Sequence, residues 1–333
     1  MATTIKDIAR VVGCSPSTVS RALSDHPQIN ENTKKAIRVV AKKMNFQINQ
    51  VAAGLRKHKT NCIGVIVPQI SNYFFSSILS GIQKVAAQAQ YQVFVCETNE
   101  SVEQEAGYIK SLSAGRTDGI LMSLSKTTDT FDHLNDLNRQ HIPLVLFDRT
   151  SDKVNVDQVE AEDESGAFMA VDYLLKGGSK RIAYLSGPEN LRNSKNRLKG
   201  YKAALKKHKL SFKNKLVHVC DFNDADIKEA MTELFANNSN IDAVFAANDI
   251  MAVEAIQVLK SMQIAVPDQV AVVGFGDYPI ARIVEPKLTT VSHNAHSIGI
   301  NAAKRLFKAI EGVSLDFKEE KISSELIIRD STR

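Results

Sequence analysis

The sequence has few cysteines and no long apolar run. Cys14, Cys62, Cys96 and Cys220 are the four cysteines among 333 residues, and no two of them form a CxxC pair. This spacing argues against a disulfide scaffold or a cysteine zinc site and favours a reducing compartment. No uninterrupted apolar stretch approaches the ~18 residues of a membrane helix, and the polar N-terminus lacks the apolar core of a signal peptide. We therefore expect a cytoplasmic protein without a membrane partner.

The common motifs of catalytic and metal sites are also missing. The sequence contains no GxSxG, no P-loop and no HExxH, and Gly274-x-Gly276 lacks the third glycine of a dinucleotide fingerprint. His293 and His296 lie three residues apart without further ligand candidates nearby, so an interface or loop role is favoured over a metal site. We predict no catalytic residues, no metal and no cofactor.

Charge is distributed unevenly along the chain. Residues 1–60 hold eleven Lys or Arg and three Asp or Glu, a net charge of +8, whereas residues 61–333 have a net charge of −3. A chain of this length is expected to form two or three domains, at roughly 100–200 residues each. A small basic module joined to a large, mildly acidic one indicates a polyanionic partner for the first sixty residues.

The basic segment has the pattern of a folded helical module. Thr4 and Asp7 form a capping box, and Gly13 can supply the left-handed residue that ends a first helix. Ser15-Pro16 opens a second helix, and a third is predicted over 32–44. Two short helices joined by a tight turn and supported by a third are typical of a helix-turn-helix domain.

Residues 4–10 (TIKDIAR) and 15–23 (SPSTVSRAL) resemble the DNA-binding module of the lactose-repressor/galactose-repressor (LacI/GalR) family of bacterial regulators. The resemblance implies that the second helix lies in the major groove of operator DNA. It places Pro16, Ser17 and Arg21 at base edges, and it assigns phosphate contacts to Thr4, Thr18, Ser20, Asn30 and Thr33. Arginine can bond guanine through two hydrogen bonds, and hydroxyls can serve bases or phosphates.

Residues 49–57 (NQVAAGLRK) resemble the hinge helix of the same family, which folds in the DNA minor groove. The resemblance makes Leu55 the apolar wedge that opens the central base step, with Asn49 and Ala52 in the same interface. Arg56 stands where the family varies; we predict a minor-groove contact for it, and a charge of the flexible linker is the alternative. Ile48 stands where the family usually has proline. A short helix that contains glycine is weak by itself, so we expect it to order only when DNA is bound.

From residue 61 short apolar strands alternate with helices. The strand candidates are 63–67, 92–96, 119–122, 144–147, 181–185, 217–220, 243–246, 270–275 and 289–292. The helix candidates are 75–89, 102–114, 164–176, 194–208, 223–236, 249–262 and 296–310. Such alternation predicts parallel sheets covered on both faces, and the run is long enough for two doubly wound subdomains with a cleft between them.

The predicted fold class is an N-terminal all-α helix-turn-helix domain plus an α/β two-subdomain effector domain. Motifs such as 72–75 (NYFF) and 274–277 (GFGD) resemble the core of the same family, which is similar to type I periplasmic binding proteins. We predict a helix-turn-helix domain over 1–46, a hinge and linker over 47–60, and an effector and dimerisation core over 61–333. The core is divided into an N-subdomain (61–160 plus 292–322) and a C-subdomain (161–291 plus 323–333).

Polar residues at strand ends predict a ligand site, because ligands of such folds bind outside the carboxyl ends of the strands. The family resemblance assigns effector contacts to Asp148, Asn193, Arg197, Asn248 and Asp277, with Phe74, Phe75 and Phe222 as apolar or stacking walls. Carboxylates, amides and a guanidinium suit the vicinal hydroxyls of a sugar. Strand-end capping, ion pairing between subdomains and core packing are the alternative roles of these residues.

We predict a homodimeric transcription regulator, a repressor, that binds a pseudo-palindromic double-stranded operator under control of a small-molecule effector, a carbohydrate. A purine-like or sugar-phosphate corepressor is an alternative effector. A cytosolic solute-binding protein is the rival function, and the basic N-terminal module argues against it. A third hypothesis is an enzyme with a doubly wound fold, and the absence of the catalytic motifs named above argues against it. The chain ends without the leucine-rich helical tail of the family's tetramers, so we expect a dimer.

Overall fold

The computed structural model describes residues 3–46, 59–221, 224–238, 240–313 and 319–333. The chain divides into two compact units, Met1–Thr60 and Asn61–Arg333. In these described ranges no helix combines the length and the apolar character that crossing a membrane requires.

The first unit contains three helices, α1 Ile5–Val12, α2 Pro16–Leu23 and α3 Glu31–Lys43. Each follows a polar residue whose side chain accepts a hydrogen bond from a backbone N–H in the first turn, and two of these three residues were predicted as caps. These caps are Thr4, Ser15 and Asn30. Gly13 ends α1 with φ of 73°, in the left-handed region that glycine adopts without strain. The predicted helix-turn-helix domain is confirmed.

A small apolar core holds these three helices together. Ile8 of α1, Val19 and Ala22 of α2 and Ile37 of α3 are completely buried. Lys34 is also buried, and its ammonium lies 3.1 Å from Asp25 and 2.9 Å from Glu31. Because these carboxylates hold Lys34, it supports the fold and is not part of the exposed basic surface.

The second unit contains two six-stranded sheets. Its strands are β1 Cys62–Val67, β2 Gln92–Glu97, β3 Gly119–Met122, β4 Leu144–Phe147, β5 Asp157–Ala161, β6 Ile182–Ser186, β7 Val217–Val219, β8 Ala243–Ala246, β9 Ala271–Phe275, β10 Thr289–Ser292, β11 Glu319–Ile322 and β12 Glu325–Ile327. The first sheet has the order β11-β5-β4-β3-β1-β2, and the second has the order β12-β10-β9-β8-β6-β7. The pairing is parallel except between β10 and β12.

Helices cover the faces of both sheets. They are α4 Tyr73–Gln88, α5 Val102–Ser113, α6 Asp132–Arg139, α7 Asp163–Lys176, α8 Arg192–Lys207, α9 Asp224–Asn237, α10 Asp249–Ser261 and α11 Ala295–Ile310. Strands β3 and β4 are buried along their whole length, as expected of parallel strands covered on both faces. The predicted doubly wound pair of subdomains is confirmed.

The chain crosses between the two sheets after β5, after β10 and after β11. These crossings lie close to the subdomain limits at 160, 292 and 322 expected from the sequence. After the second crossing, α11 returns to the first sheet and packs against α4. A Cβ at Gly81 would lie 2.2 Å from the carbonyl oxygen of His296, and one at Gly299 would lie 2.1 Å from that of Ile78. Both positions therefore require glycine for the close approach of α4 and α11.

The nine predicted strands and seven predicted helices are present to within two residues at each end. Strands β5, β11 and β12 and helix α6 were not predicted. Strands β11 and β12 lie at sheet edges and are only partly buried. Strand β11 contains no apolar run, and β12 contains only the pair Leu326-Ile327. Helix α6 is short, and two leucines are its only large apolar residues. Strand β5 carries acids at two of its five positions.

Candidate operator interface and effector cavity

Helix α2 presents a polar face to solvent. Val19 and Ala22 are buried against α1 and α3, and Pro16, Ser17 and Arg21 are exposed. Arg21 makes no ion pair with any described residue, so its guanidinium is available for a base edge. The structure therefore brings the three predicted base-contacting residues to one surface.

Four of the five predicted phosphate-contacting residues lie at helix starts: Thr4, Thr18, Asn30 and Thr33. The Thr4 hydroxyl is 2.6 Å from the Asp7 carboxylate, and the Ser15 hydroxyl is 2.8 Å from that of Thr18. The Asn30 side chain accepts from the backbone N–H of Thr33 at 2.8 Å. Backbone N–H groups at helix starts attract anions, so these positions are suited to phosphate oxygens. Ser20 is half-buried on α2.

Five predicted site residues lie outside the described residues. They are Asn49, Ala52, Leu55, Arg56 and Phe222. Their contacts with the minor groove or the effector stay predictions.

A cavity of about 600 Å³ lies between the two sheets, at the carboxyl ends of their strands. Six of the predicted effector-contacting residues line it: Phe74, Phe75, Asp148, Asn193, Arg197 and Asn248. The first three belong to the first subdomain and the other three to the second, so a ligand in the cavity would contact both. Opposite the wall formed by α4, the ammonium of Lys126 lies 2.6 Å from the Asp221 carboxylate and joins the two subdomains directly.

Asp148 is the buried carboxylate of this cavity. It follows β4 in the left-handed region, with φ of 58°, and is only 4% exposed. Burial raises the pKa of Asp148 to about 6, against the opposing effect of the neighbouring Arg149. The amide of Asn193 lies 3.5 Å from the carboxylate, a long hydrogen bond that leaves acceptor capacity for a ligand.

Arg197 is held in one orientation by groups of the second subdomain. Its Nε donates to Asp163 at 2.8 Å, and its Nη1 donates to the carbonyl oxygen of Ala247 at 2.6 Å. The guanidinium lies over the ring of Phe275, 4.0 Å from its centroid. A planar donor fork fixed in this way is ordered before a ligand arrives, which reduces the entropy lost on binding.

Asn248 caps helix α10. Its side-chain oxygen accepts from the backbone N–H of Met251 at 2.8 Å, which leaves the NH₂ group as the part that can serve a ligand. Capping and ligand contact, which the sequence left as alternatives, are thus compatible at this residue.

His293 lies in the loop between β10 and α11, one of the two roles expected for it, and it also lines the cavity, which was not predicted. Its ring stacks on Phe74, with centroids 4.5 Å apart and planes 5° apart, and it meets Phe275 edge-on at 5.3 Å. Burial and the nearby Arg197 lower the pKa of His293 well below its usual value, so the ring is neutral. Its Nδ1 has no hydrogen-bond partner among the described residues. The single sequence signal was its place directly after β10.

Asp277 does not line the cavity. Its carboxylate binds Arg282 at 2.7 Å and also accepts from Arg329, close to the end of the chain. As predicted, Asp277 lies at the carboxyl end of a strand, but its carboxylate forms ion pairs with these two arginines. Its expected effector contact is therefore not supported by the geometry.

A second cavity of about 950 Å³ lies at the ends of β4 and β5. Arg192 at the start of α8 reaches across it to Asp152 at 2.7 Å and Glu319 at 2.5 Å. Burial raises the pKa of Glu160, beside them, to about 7. The central cation of this cavity is therefore already paired with acids of the other subdomain, whereas Lys195 and Lys199, which also line this cavity, form no ion pair with a described residue.

Two family models cover almost the whole chain. Residues 4–49 match the model of bacterial regulatory proteins of the lacI family. Residues 60–331 match the model of periplasmic binding proteins and the sugar-binding domain of the LacI family.

Characterised proteins and solved structures agree with these matches over the full length. The transcriptional regulator RegA of Clostridium saccharobutylicum is 32% identical, with 100% of both chains covered. The ribose operon repressor of Halalkalibacterium halodurans is 29% identical, with 99% of this chain and 97% of the relative covered. The solved complex of the transcriptional regulator CelR with cellobiose is 26% identical, has a TM-score of 0.77 and covers 99% of both chains. The chain therefore belongs to the LacI family of bacterial regulatory proteins.

Proposed function

We propose that this protein is a dimeric transcriptional repressor whose affinity for a pseudo-palindromic operator is set by a carbohydrate bound in the 600 Å³ cavity. The observation that carries the proposal is the convergence of Asp148, Asn193, Arg197 and Asn248, from both subdomains, on one cavity with aromatic walls. The basic helix-turn-helix unit on the same chain makes DNA the macromolecular partner.

The chemistry of the cavity suits a polyhydroxylated ring. The Asp148 carboxylate accepts from hydroxyls, and the Arg197 fork and the Asn248 amide donate to them. Phe74 and Phe75 supply the apolar wall on which the C–H face of a sugar packs. A volume of about 600 Å³ lies within the usual range for small-ligand sites. The name of the ribose operon repressor and the cellobiose bound to CelR also support a sugar.

Both subdomains hold the ligand, and this supplies the coupling to DNA. A sugar that contacts Asp148 on one side and Arg197 on the other stabilises one relative orientation of the two sheets. A ligand shifts the equilibrium between two orientations by its difference in affinity for them. The same coupling works in both directions, so operator binding changes the affinity for the sugar by the same factor.

Selection from a random duplex pool by the purified protein tests the DNA-binding part. We expect the selected sequences to share a pseudo-palindrome, because a two-fold dimer places two copies of α2 on related half-sites. Selection of a single unrepeated half-site, or of no consensus sequence, would contradict the proposal that a dimer binds a pseudo-palindromic operator. Sedimentation of the free protein at the same concentration checks the dimer independently.

A thermal-shift screen of sugars, sugar phosphates and purines tests the effector part. We expect a sugar to raise the melting temperature of the protein and to change the anisotropy of labelled operator. Arg197→Ala should abolish the shift and Asp148→Asn should reduce it, and Asp129→Asn, an exposed acid in the larger cavity, is the matched control. A purine that stabilises the protein while no sugar does would contradict the carbohydrate assignment.

A further inference from the structure

Residues 192–215 of the second unit are strongly basic. This segment contains ten Lys or Arg and no Asp or Glu. The rest of the second unit, residues 61–191 and 216–333, has 21 Lys or Arg against 34 Asp or Glu, a net charge of −13. The small net charge of the unit therefore hides a strong local separation of charge.

Four of these residues form one line along helix α8. Lys195, Lys199, Lys202 and Lys206 are separated by four, three and four residues, which places them on the same face of a helix. All four are exposed. We call these four residues the lysine stripe. The opposite face of α8 is buried and includes Tyr201, Ala204 and Leu205, so packing of the helix fixes the stripe outward.

Ion pairs within the described parts of the protein do not neutralise the stripe, and two of its lysines, Lys195 and Lys199, line the larger cavity. The described ion pairs of α8 belong to Arg192, Arg197 and Lys207. No stripe lysine has an ion pair among the described residues. The ammonium of Lys202 lies 4.3 Å from the ring centroid of Phe212, an aromatic contact that leaves its charge in place.

The stripe also works against the stability of its own helix. Like charges three and four residues apart repel each other on a helix surface. The first turn of α8 carries Arg192 and Lys195 and no acid, opposite to the sign that the helix dipole favours there. A partner that carries a row of negative charges would relieve both effects.

The form of the stripe favours the phosphate backbone of duplex DNA over an acidic protein. Between Lys195 and Lys206 the helix rises by about 16 Å, the length of about five base pairs. Lysine is depleted in the cores of protein–protein interfaces, and the stripe face of α8 contains no large apolar residue. Hydrated ammonium groups contact phosphates without reading base sequence.

We propose that the lysine stripe of α8, on the second unit, is a sequence-independent contact for duplex DNA in addition to the helix-turn-helix unit. The inference rests on the proposed function in that the partner is DNA.

The test uses the full-length dimer with one unlabelled operator duplex per dimer, taken from the selection above. A labelled non-operator duplex of about 30 base pairs, longer than the stripe, is then added and its anisotropy is measured at increasing salt. Exchange at the helix-turn-helix units is suppressed because specific binding exceeds non-specific binding by about 10³-fold or more.

The variant K195Q/K199Q/K202Q/K206Q removes the stripe. The control variant K110Q/K180Q/K228Q/K304Q removes the same charge from four exposed lysines on other surfaces, which have no ion pair in the described parts of the chain. We expect the stripe variant to lose at least tenfold in affinity for the second duplex at low salt. The slope of log affinity against log salt should fall by about 3 to 4, close to 0.9 for each lost phosphate contact.

Three outcomes would overturn the proposal. The first is failure of the wild type to bind the second duplex, and the second is an equal loss in both variants, since only net charge would then matter. The third is binding of poly-glutamate in place of the duplex, which would indicate an acidic protein partner. Binding of labelled operator is measured separately for all three proteins, so a failure of the proposed function is distinguishable from a failure of the stripe.

Discussion

The substitution Asp148→Asn should stabilise the protein at neutral pH and weaken effector binding. Burial raises the pKa of Asp148 from 3.8 to about 6, so the folded protein holds this proton more tightly than the unfolded chain does. Stability is therefore lost as pH rises from about 4 to 6 and stays reduced above that range. The difference between the two pKa values corresponds to about 3 kcal/mol of unfolding free energy at pH 7.5.

Asparagine at position 148 keeps the shape of the side chain and tolerates the left-handed backbone, with φ of 58°. We therefore expect a gain of up to about 3 kcal/mol at pH 7.5, and about half of that at pH 5, where wild-type Asp148 is mostly protonated when folded. For a unit of this size such a gain raises the melting temperature by roughly 6–12 °C. Affinity for the effector should fall about tenfold, because charge-assisted hydrogen bonds are lost.

Urea unfolding and thermal melts at pH 5 and pH 7.5 measure the first effect, and titration calorimetry with the effector measures the second. Asp129→Asn is the control, since it removes one negative charge from an exposed position. A variant Asp148→Asn that is less stable than wild type at pH 7.5 would refute the reasoning, as would an equal gain in the control.

Three further predictions concern DNA binding and packing. Arg21→Ala should remove about 1–3 kcal/mol of discrimination at one base pair of each half-site, measured by competition between operator variants, and an unchanged preference would remove Arg21 from base contact. Binding of the dimer to its operator should weaken about 10³–10⁵-fold between 50 and 200 mM salt if six to ten phosphates are contacted, and a flat response would contradict that contact number. Gly81→Ala should destabilise the second unit by about 1–3 kcal/mol or more, because its Cβ would meet the His296 carbonyl oxygen at 2.2 Å. Gly107→Ala, a helical glycine with no neighbour within 4 Å, should be neutral or stabilising in the same urea titration, and equal effects would show that close packing is not the cause.

The helix-turn-helix unit could be predicted from the sequence because its signals are local. The caps at Thr4, Ser15 and Asn30 are hydrogen bonds between residues three positions apart, and each can be recognised in a short window. Most buried strands of the second unit were equally clear, since they are short segments rich in Val, Ile, Leu, Phe and Ala. The edge strand β11 was missed because its sequence contains no apolar run, and β12 was missed because its single pair of apolar residues is too short to indicate a strand.

The residues of the cavity show what could not be predicted from the sequence. Asp148 and Asp277 follow strands in the same way and both adopt positive φ. Asp148 lines the cavity, whereas the carboxylate of Asp277 is taken by Arg282 and Arg329. Arg329 lies 52 positions away in the chain, so no local pattern could separate the two cases.

By itself the sequence determined the two modules, the order of most of their strands and helices, and the separation of charge between and within them, because short windows of residues indicate these properties. Even the spacing of the lysine stripe was visible there. Only the tertiary structure decided which polar residues converge on a cavity and which face of α8 is exposed. The stacking of Phe74 on His293 joins residues 219 positions apart. Contacts over such separations depend on the packing of two subdomains, which no short segment encodes.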